Sequence, residues 1–461
     1  MKRVVASAVR GRWHVLAASV FASALVACSA LLGFEDLTGP VDGGDDGLGS
    51  SDDGGVRDGS GSSDGASGVL AAPSDVGADA PACTVTTLGT SFVNPRGIAV
   101  DHAGNVYVSG FDNLIRKIPP GGAVSTFTGV TGGGFADGDA THALFSDPRA
   151  IAVSLDGKNI YVADSANQRI RTIALDTAVT TTLAGNGDAG SAGGSAANAS
   201  FNFPTLVAVS DAGTFVGEFG GYTIRTIRGG VVDPAGSPPI TSIQPHGFAA
   251  PADPSVTPLF VTHDAVVARV INGGVTTLVG GAAGSKDSPG AAFFAPSGLV
   301  IQGDRLYVAD TGNNRIRRIK WVAAPVDVTT LAGPMDGGAS SGSDVGACAA
   351  ARFASPQDVA ADDSGNLYVA DGMNNAVRKI TGVDGQLLVH WTAPPGADAT
   401  TSYSASASTP VGEAGSCTVV GTTSCVIGRL TSAASYTVQV TATTAGGTSA
   451  AGQSVGTAQP Y

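Results

Sequence analysis

The sequence has few charged residues, which argues against a fold built mainly from solvated helices. Charged side chains make up 14% of the 461 residues, and 66 residues are glycine. Few charges together with many possible turns favour an all-β protein. Cysteine is also sparse, with five in the chain. Four remain when Cys28 is set aside as a predicted lipidation site, and they fit a compartment in which disulfides form.

No catalytic set of residues is visible in the sequence. The histidines outside the N-terminal signal lie near no nucleophile motif: His102, His142, His246, His263 and His390. The glycine-rich segments TGGGFADG and GNGDAG join strand to strand, whereas a phosphate cradle needs a helix after it. The net charge is −13, which argues against a nucleic-acid surface. The sequence therefore predicts no catalytic residue, no cofactor and no nucleic-acid partner.

The first 27 residues read as an export signal. Four basic residues precede an apolar run, Val15 to Ala27, that is too short to span a membrane as a helix. The run ends in LVAC, which resembles a bacterial lipobox and predicts lipidation of Cys28. The alternative is an ordinary signal peptide with an incidental cysteine. The prediction places the chain in the bacterial cell envelope, lipid-anchored at the outer membrane or cell surface.

A disordered tether is predicted for residues 28–82. The segment 35–79 contains Glu35 and ten aspartates against the single Arg57, and it has hardly an aromatic residue. Such a segment cannot bury enough apolar surface to offset its ordering entropy. The runs DGGDDG and SDDGG also suggest calcium binding, but they lack the spacing of known calcium loops.

One sequence motif recurs along the chain from about residue 83 to residue 381. Four copies are close to one another: NVYVSGFDNLIRKI, NIYVADSANQRIRTI, RLYVADTGNNRIRRI and NLYVADGMNNAVRKI. A proline and a short apolar run precede each copy, as in PRGIAV, and a strand such as VTTLAG follows it. Two looser copies begin at 203 and 245. Alternating polar and apolar positions predict four antiparallel strands per unit, the pattern of a propeller blade.

The two ends of the repeated region predict how the ring closes. The sixth unit stops after AVRKI and lacks its last strand, whereas an orphan TVTTLG stands at the start, after Cys83. Because a propeller must leave no open edge between its first and last blades, we expect residues 83–89 to complete the last blade. Cys348 lies in the loop before that blade, so a disulfide with Cys83 is predicted.

Residues 384–461 change in pattern and resemble a fibronectin type III module. Trp391 fits the buried tryptophan of an early strand, and Leu430 with Tyr436 fits the corner that fixes a late strand. Cys417 and Cys425 are spaced for a cross-strand disulfide. Little sequence remains for the first strand of such a module, so that strand is expected to be truncated.

The repeated units, with their proline leads, resemble NHL repeats. The resemblance implies a six-bladed β-propeller, followed here by a small β-sandwich. NHL domains include protein-binding and RNA-binding domains, extracytoplasmic sensors and a minority of metal-dependent enzymes.

A ligand site is predicted at the mouth of the central channel. The residue after each strand-leading proline is expected to point there: Arg96, Arg149, Thr205, His246, Ser297 and Gln357. In the lyase-type relatives several histidines at such positions hold zinc, and only His246 matches. Arginine has no lone pair to give, so no metal site is predicted. Arg96 and Arg149 are candidates for an anion or an acidic side chain, with a solvated pair as the alternative.

The acidic and basic positions of the repeat are predicted to be structural. Asp164, Asp310, Asp371 and Glu218 recur once per blade, so each carboxylate is expected to accept turn N–H groups or to pair with Arg169, Arg315 or a neighbour. A stripe of arginines, which we expect to be solvated and paired with aspartate, also recurs once per blade: Arg116, Arg171, Arg225, Arg269, Arg317 and Arg378.

These patterns favour a surface-anchored, non-enzymatic binding protein. The propeller is expected to bind an extracytoplasmic protein or polysaccharide. The alternatives are a metal-dependent hydrolase or lyase centred on the channel mouth and His246, and a sensor domain.

Overall fold

The protein is described by a computed structural model that covers residues 74–79, 83–233, 243–251, 259–271, 273–322, 325–335, 340–383, 387–409, 412–427, 435–444, 447–449 and 452–457. All of these residues belong to one compact unit, Gly65–Tyr461. Cys28, Leu430 and the export signal lie outside them. Within the described ranges, no helix is long and apolar enough to cross a membrane.

Six antiparallel sheets follow one another along residues 84–381 of the described chain, as the repeats predict. The strands of the first three sheets are Pro95–Val100, Val106–Gly110, Ile115–Ile118 and Ser125–Thr128; Pro148–Val153, Asn159–Asp164, Arg169–Ala174 and Thr180–Ala184; and Pro204–Ser210, Gly213–Glu218, Thr223–Arg228 and Val231–Val232, with Gly194–Ser195 at its edge.

The fourth to sixth sheets have the same plan. Their strands are Gly247–Ala249, Leu259–His263, Val266–Ile271 and Gly274–Gly280; Pro296–Gln302, Arg305–Asp310, Arg315–Lys320 and Asp327–Ala332; and Pro356–Ala361, Leu367–Asp371, Ala376–Thr381 and Thr84–Gly89, with Gly346–Ala347 at its edge. Three short 3-10 helices occur in turns of the described chain: Ser165–Asn167, Thr311–Asn313 and Gly372–Asn374.

The sheets form a closed, propeller-like ring. The first strands of neighbouring sheets pack side by side, and the first strand of the sixth sheet packs against that of the first sheet. Buried apolar clusters lie between neighbouring sheets all the way round. At the seam, Val108 of the first sheet shares a cluster with Val377 of the sixth. The core is therefore divided among the junctions between sheets.

The N-terminal strand closes this ring, as the sequence predicts. Thr84–Gly89 pairs with Ala376–Thr381, and the Thr84 and Thr381 hydroxyls lie 2.8 Å apart. The predicted disulfide between Cys83 and Cys348 joins the closing strand to the loop before the last sheet. The strand thus has both a sheet partner and a covalent connection to the sheet that it completes.

The repeated carboxylates are structural, and their arginine partners are buried. Asp310 accepts hydrogen bonds from the backbone N–H of Phe294 (2.9 Å), the amide of Asn313 (2.9 Å) and the guanidinium of Arg317 (2.8 Å). Arg317 is fully buried. The expectation of solvated arginines is therefore wrong here. The ion pair and hydrogen bonds of the guanidinium compensate for the cost of removing its charge from water.

The same three-way contact recurs elsewhere in the ring. Asp164 accepts hydrogen bonds from the backbone N–H of Ser146 and from the side chains of Asn167 and Arg171. Asp371 accepts them from the backbone N–H of Ala354 and from the side chains of Asn374 and Arg378. The arginine partner is therefore seven residues after the carboxylate, two beyond the expected Arg169 and Arg315. Arg225 lies 3.7 Å from Glu218 in the third sheet. Arg269, in contrast, is exposed as predicted.

A second group of strands lies outside the ring. One sheet contains Ser74–Asp79, Leu387–Thr392 and Ser424–Ile427 in this order, and the other contains Gly412–Val420, Ser402–Thr409, Ser435–Thr444 and Gly447–Thr448, with Gly452–Thr457 also paired to Ser435–Thr444. Trp391, Tyr403 and Tyr436 lie in a buried cluster of these strands. The predicted disulfide between Cys417 and Cys425 is present.

The strand Ser74–Asp79 corrects two expectations. It falls inside the segment predicted as a disordered tether, yet Asp79 pairs with Leu388 and Gly77 with His390. It also occupies the place of the first strand, which was expected to be truncated. The chain that precedes the ring supplies this strand, so residues 83–381 are inserted between two neighbouring strands of one sheet.

Candidate functional site

The six residues predicted at the channel mouth line one cavity of about 620 Å³. Each stands at the start of the first strand of its sheet: Arg96, Arg149, Thr205, His246, Ser297 and Gln357. Because the first strands face one another across the ring, these side chains surround a common opening. Below them the wall is largely apolar, with residues such as Ile98, Ile151 and Leu299.

Two arginines at the mouth share one carboxylate. Arg96 Nη1 lies 2.7 Å from Asp147 Oδ1, and Arg149 Nε lies 2.9 Å from Asp147 Oδ2. Burial lowers the pKa of Arg96, Asp147 opposes this shift and Arg149 adds to it. The three side chains together carry one net positive charge.

Arg149 retains unused hydrogen-bond donors. Its two terminal nitrogens have no partner among the residues that the structure describes, and its side chain is 39% exposed. Asp147 binds the guanidinium through Nε, and within the described chain Nη1 and Nη2 stay unbonded in a residue that lines the cavity. A guanidinium edge of this kind matches the two oxygens of a carboxylate.

His246 is held inside the wall. Its backbone N–H donates to Thr262 O at 2.8 Å, and its ring donates to the carbonyl of Pro296. Burial lowers the pKa of the imidazole. Among the described residues, no group of three or more His, Cys, Asp or Glu side chains is arranged to hold a metal ion.

Ser297 and Gln357 form contacts within and between sheets. The Ser297 hydroxyl donates to the carbonyl of Gln357 at 2.6 Å and also contacts the Thr311 hydroxyl. The Gln357 amide donates to the carbonyl and the hydroxyl of Ser355. Thr205 is buried, with 8% of its surface exposed. All three residues line the cavity, and the Ser297 hydroxyl and the Gln357 NH2 group already bond within the protein.

Asp358 belongs to the cavity wall and was missed by sequence reasoning. Its Oδ2 accepts the N–H of Ile98 at 3.1 Å across the seam, and Oδ1 accepts the N–H of Val359 at 2.9 Å. A Cβ at Gly298 of the fifth sheet would collide with this carboxylate. Burial raises the pKa of Asp358 to about 7, although both N–H bonds lower it. A signal existed, because PQDVAA has aspartate where PRGIAV has glycine.

The comparisons with known proteins identify the repeats. The NHL repeat model matches residues 145–173, 295–319 and 353–380. SUPPRESSOR OF QUENCHING 1, chloroplastic, of Arabidopsis thaliana is 27% identical over 299 residues, and Teneurin-4 of Mus musculus is 24% identical over 356 residues. The alignments cover 55% and 65% of this chain, but only 27% and 12% of those relatives. The chain thus spans a minor part of their length.

Solved structures share the fold at low identity. A protein of unknown function from Bacteroides thetaiotaomicron VPI-5482 superposes with a TM-score of 0.51 at 17% identity. An auxiliary nutrient binding protein from Bacteroides ovatus ATCC 8483 does so with a TM-score of 0.50 at 16% identity. Each alignment covers 65% of this chain and 76% of the other. Such likeness concerns the fold alone. The chain therefore carries NHL repeats within a propeller-like all-β fold.

Proposed function

We propose that this chain is a non-enzymatic binding protein of the bacterial cell envelope. Residues 83–381 form a six-bladed NHL-type propeller whose channel mouth holds an extracytoplasmic protein or polysaccharide. A fibronectin type III-like sandwich accompanies the propeller, and lipids on Cys28 anchor the chain at the outer membrane or cell surface. Detergent phase partition of the unmodified chain and of a Cys28→Ser variant tests the anchor. We expect the unmodified chain in the detergent phase and the variant in the aqueous phase.

The observation that carries this proposal is the guanidinium of Arg149. It lines a cavity of about 620 Å³, is oriented by Asp147, and has two nitrogens without a partner among the described residues. A cavity of this size suits one side chain or one small group of a larger ligand. Two disulfides support an extracytoplasmic location, since such bonds persist in oxidising compartments.

Binding is preferred to metal-dependent hydrolysis because of the donors that the cavity offers. Its wall contributes one imidazole, His246, and one carboxylate, Asp358. A catalytic zinc needs three protein ligands and an open position.

A carboxylate probe tests the mouth directly. Succinate is titrated calorimetrically into the purified chain and into an Arg149→Gln variant. Loss of the guanidinium edge is expected to weaken binding at least about tenfold. Arg228→Gln is the matched control, because Arg228 is exposed at the opposite end of the third sheet. Equal succinate affinity in Arg149→Gln and Arg228→Gln contradicts a carboxylate site at Arg149.

A further inference from the structure

The most exposed aromatic side chains of the described residues all lie at one end of the ring. We call this end the mouth face: the first strands begin there and the second strands end there. The aromatic residues in question lie in loops or turns of that face: Phe111, Phe135, Phe203, Phe219, Tyr222 and Phe294. Met373, which is 76% exposed, lies in a turn of the same face.

The opposite end of the ring has a different surface. Its exposed apolar side chains in the described part of the chain are aliphatic: Leu155, Val179, Val231, Ile271, Val275 and Val322. Scattered aliphatic residues are normal on a protein surface, whereas aromatic residues gathered on one face mark an interaction site. The asymmetry therefore distinguishes the mouth face.

Two of the aromatic residues adjoin the cationic mouth, Phe219 and Phe111. Phe219 itself lines the cavity. The guanidinium carbon of Arg96 lies 4.9 Å from the ring centroid of Phe111, and that of Arg169 lies 3.8 Å from the centroid of Phe135. These distances are those of cation–π contacts. Arginine and aromatic side chains thus lie together on the mouth face, with Phe219 and Arg96 at the cavity itself.

The ring strands that lead to the C-terminal strands end on the side away from the mouth face. Thr84 is paired with Thr381, and both lie at the ends of their strands that are remote from Pro356 and the mouth. The chain enters and leaves the ring there.

We propose that the mouth face binds a polypeptide whose acidic side chain enters the cavity beside Arg149 while its apolar neighbours cover the surrounding phenylalanines. This inference rests on the proposed binding function and names the partner class. Phenylalanine, methionine and arginine are enriched at the centres of protein interfaces, and arginine is frequent among their hot spots.

A polypeptide fits this surface better than a polysaccharide does. A polysaccharide presents many hydroxyl groups that need polar partners. The Ser297 hydroxyl and the Gln357 amide already bond within the protein, and phenylalanine has no polar atom. The outer edge of the Arg149 guanidinium offers two N–H donors and a positive charge, which favours one carboxylate among apolar neighbours.

The test uses two probes of different chemistry. A phage-displayed library of random twelve-residue peptides is selected on the immobilised chain, and polygalacturonate is measured on the same chain with dextran as the neutral control. The expected result is enrichment of peptides with Asp or Glu beside apolar residues. Their affinity is expected to fall at least about tenfold in Arg149→Gln and in Phe219→Ala.

Matched variants separate this inference from a folding defect. Arg228→Gln and Leu155→Ala change an exposed arginine and an exposed apolar residue at the other end of the ring, and they are expected to leave peptide affinity unchanged. Arg149→Lys keeps the charge but lacks the planar edge, so it is expected to restore only part of the affinity. All variants are compared by thermal unfolding.

The outcomes distinguish the inference from the function on which it rests. Mouth-dependent binding of polygalacturonate without acidic peptides overturns the polypeptide class and leaves the binding function in place. Peptides that lack acidic residues, or that are insensitive to Arg149, also overturn the inference. If the affinities for peptides, polygalacturonate and succinate are all unchanged by every mouth variant, the proposed function fails as well.

Discussion

Asp358 combines two opposing influences on one carboxyl group. Hydrogen bonds from the N–H groups of Ile98 and Val359 favour the charged form, whereas burial favours the neutral form. Burial prevails, and the pKa rises to about 7. Arg96, Arg149 and His246 line the same cavity, but none of them is in contact with this carboxylate. Asp358 therefore titrates near neutral pH, at the junction of the sixth and first sheets.

Replacement of Asp358 by asparagine should remove a pH dependence of stability. In the unfolded chain an aspartate has a pKa of about 3.9. Between about pH 4 and pH 7 the folded chain therefore keeps a proton that the unfolded chain has lost. Stability from this group is complete below pH 4 and is lost as the pH rises to 7. Relative to Asp358→Asn, the unmodified chain should lose about 2 to 3 kcal/mol of unfolding free energy between pH 5 and pH 8.

Urea denaturation at the two pH values measures this difference. Asp211→Asn, at an exposed position between two strands of the third sheet, is the control and should follow the unmodified chain. Parallel pH profiles for the unmodified chain and Asp358→Asn would show that the carboxyl is already ionised at pH 5.

At the scale of single elements, the tight turn of the repeat explains why its residues recur. In the fifth sheet, Asp310, Asn313 and Arg317 form one hydrogen-bonded group. Asn314 adopts a left-handed conformation with φ of 54°, and its side chain accepts the N–H of Ser355 at the start of the next sheet. Asparagine tolerates this conformation better than most residues. This turn therefore stabilises the fifth sheet and helps to fix the position of the sixth.

The sequence could predict these strands and turns because their spacing is local and repeated. It also placed Arg149 and His246 at one opening, since equivalent positions in successive sheets face a common axis. Burial of Arg317 was not predictable from its charge, because the compensating contacts come from separate segments. The strand Ser74–Asp79 has no periodic pattern of its own, and its partner Leu387–Thr392 lies on the other side of the whole ring.

Loss of the disulfide at the closing strand should weaken the ring locally and globally. Cys83 and Cys348 are separated by 265 residues, so the bond restricts a long loop of the unfolded chain. The Cys83→Ala/Cys348→Ala variant should lose about 2 to 5 kcal/mol of unfolding free energy. Amide hydrogen exchange should accelerate first in Thr84–Gly89, which this bond holds at one end.

The second disulfide provides the matched comparison. Cys417 and Cys425 are separated by eight residues and lie outside the ring. The Cys417→Ala/Cys425→Ala variant should therefore leave exchange in Thr84–Gly89 unchanged. Faster exchange in that strand for both double variants, or for neither, would contradict a specific role for the Cys83–Cys348 bond in closure.

At the scale of the whole molecule, the ring is an insertion into a smaller β structure. The chain passes from Ser74–Asp79 into the ring at residue 83 and returns to Leu387–Thr392 after residue 383. The ring strands begin and end side by side at these crossings, because Thr84 and Thr381 are paired. Two adjacent connections restrict the relative movement of the two parts more than one linker does.

Removal of the first strand should therefore destabilise the C-terminal strands and spare the ring. A chain that begins at residue 80 lacks Ser74–Asp79 but keeps the closing strand, whereas a chain that begins at residue 73 keeps both. Leu387–Thr392 loses one sheet partner in the shorter chain. Its amide exchange should accelerate at least about tenfold, which corresponds to about 1.4 kcal/mol. Exchange in Arg315–Lys320 of the ring should be the same in both chains. Equal protection of Leu387–Thr392 in the two chains would show that the C-terminal strands fold without the segment that precedes the ring. The ring would then precede an independent β structure instead of being inserted into it.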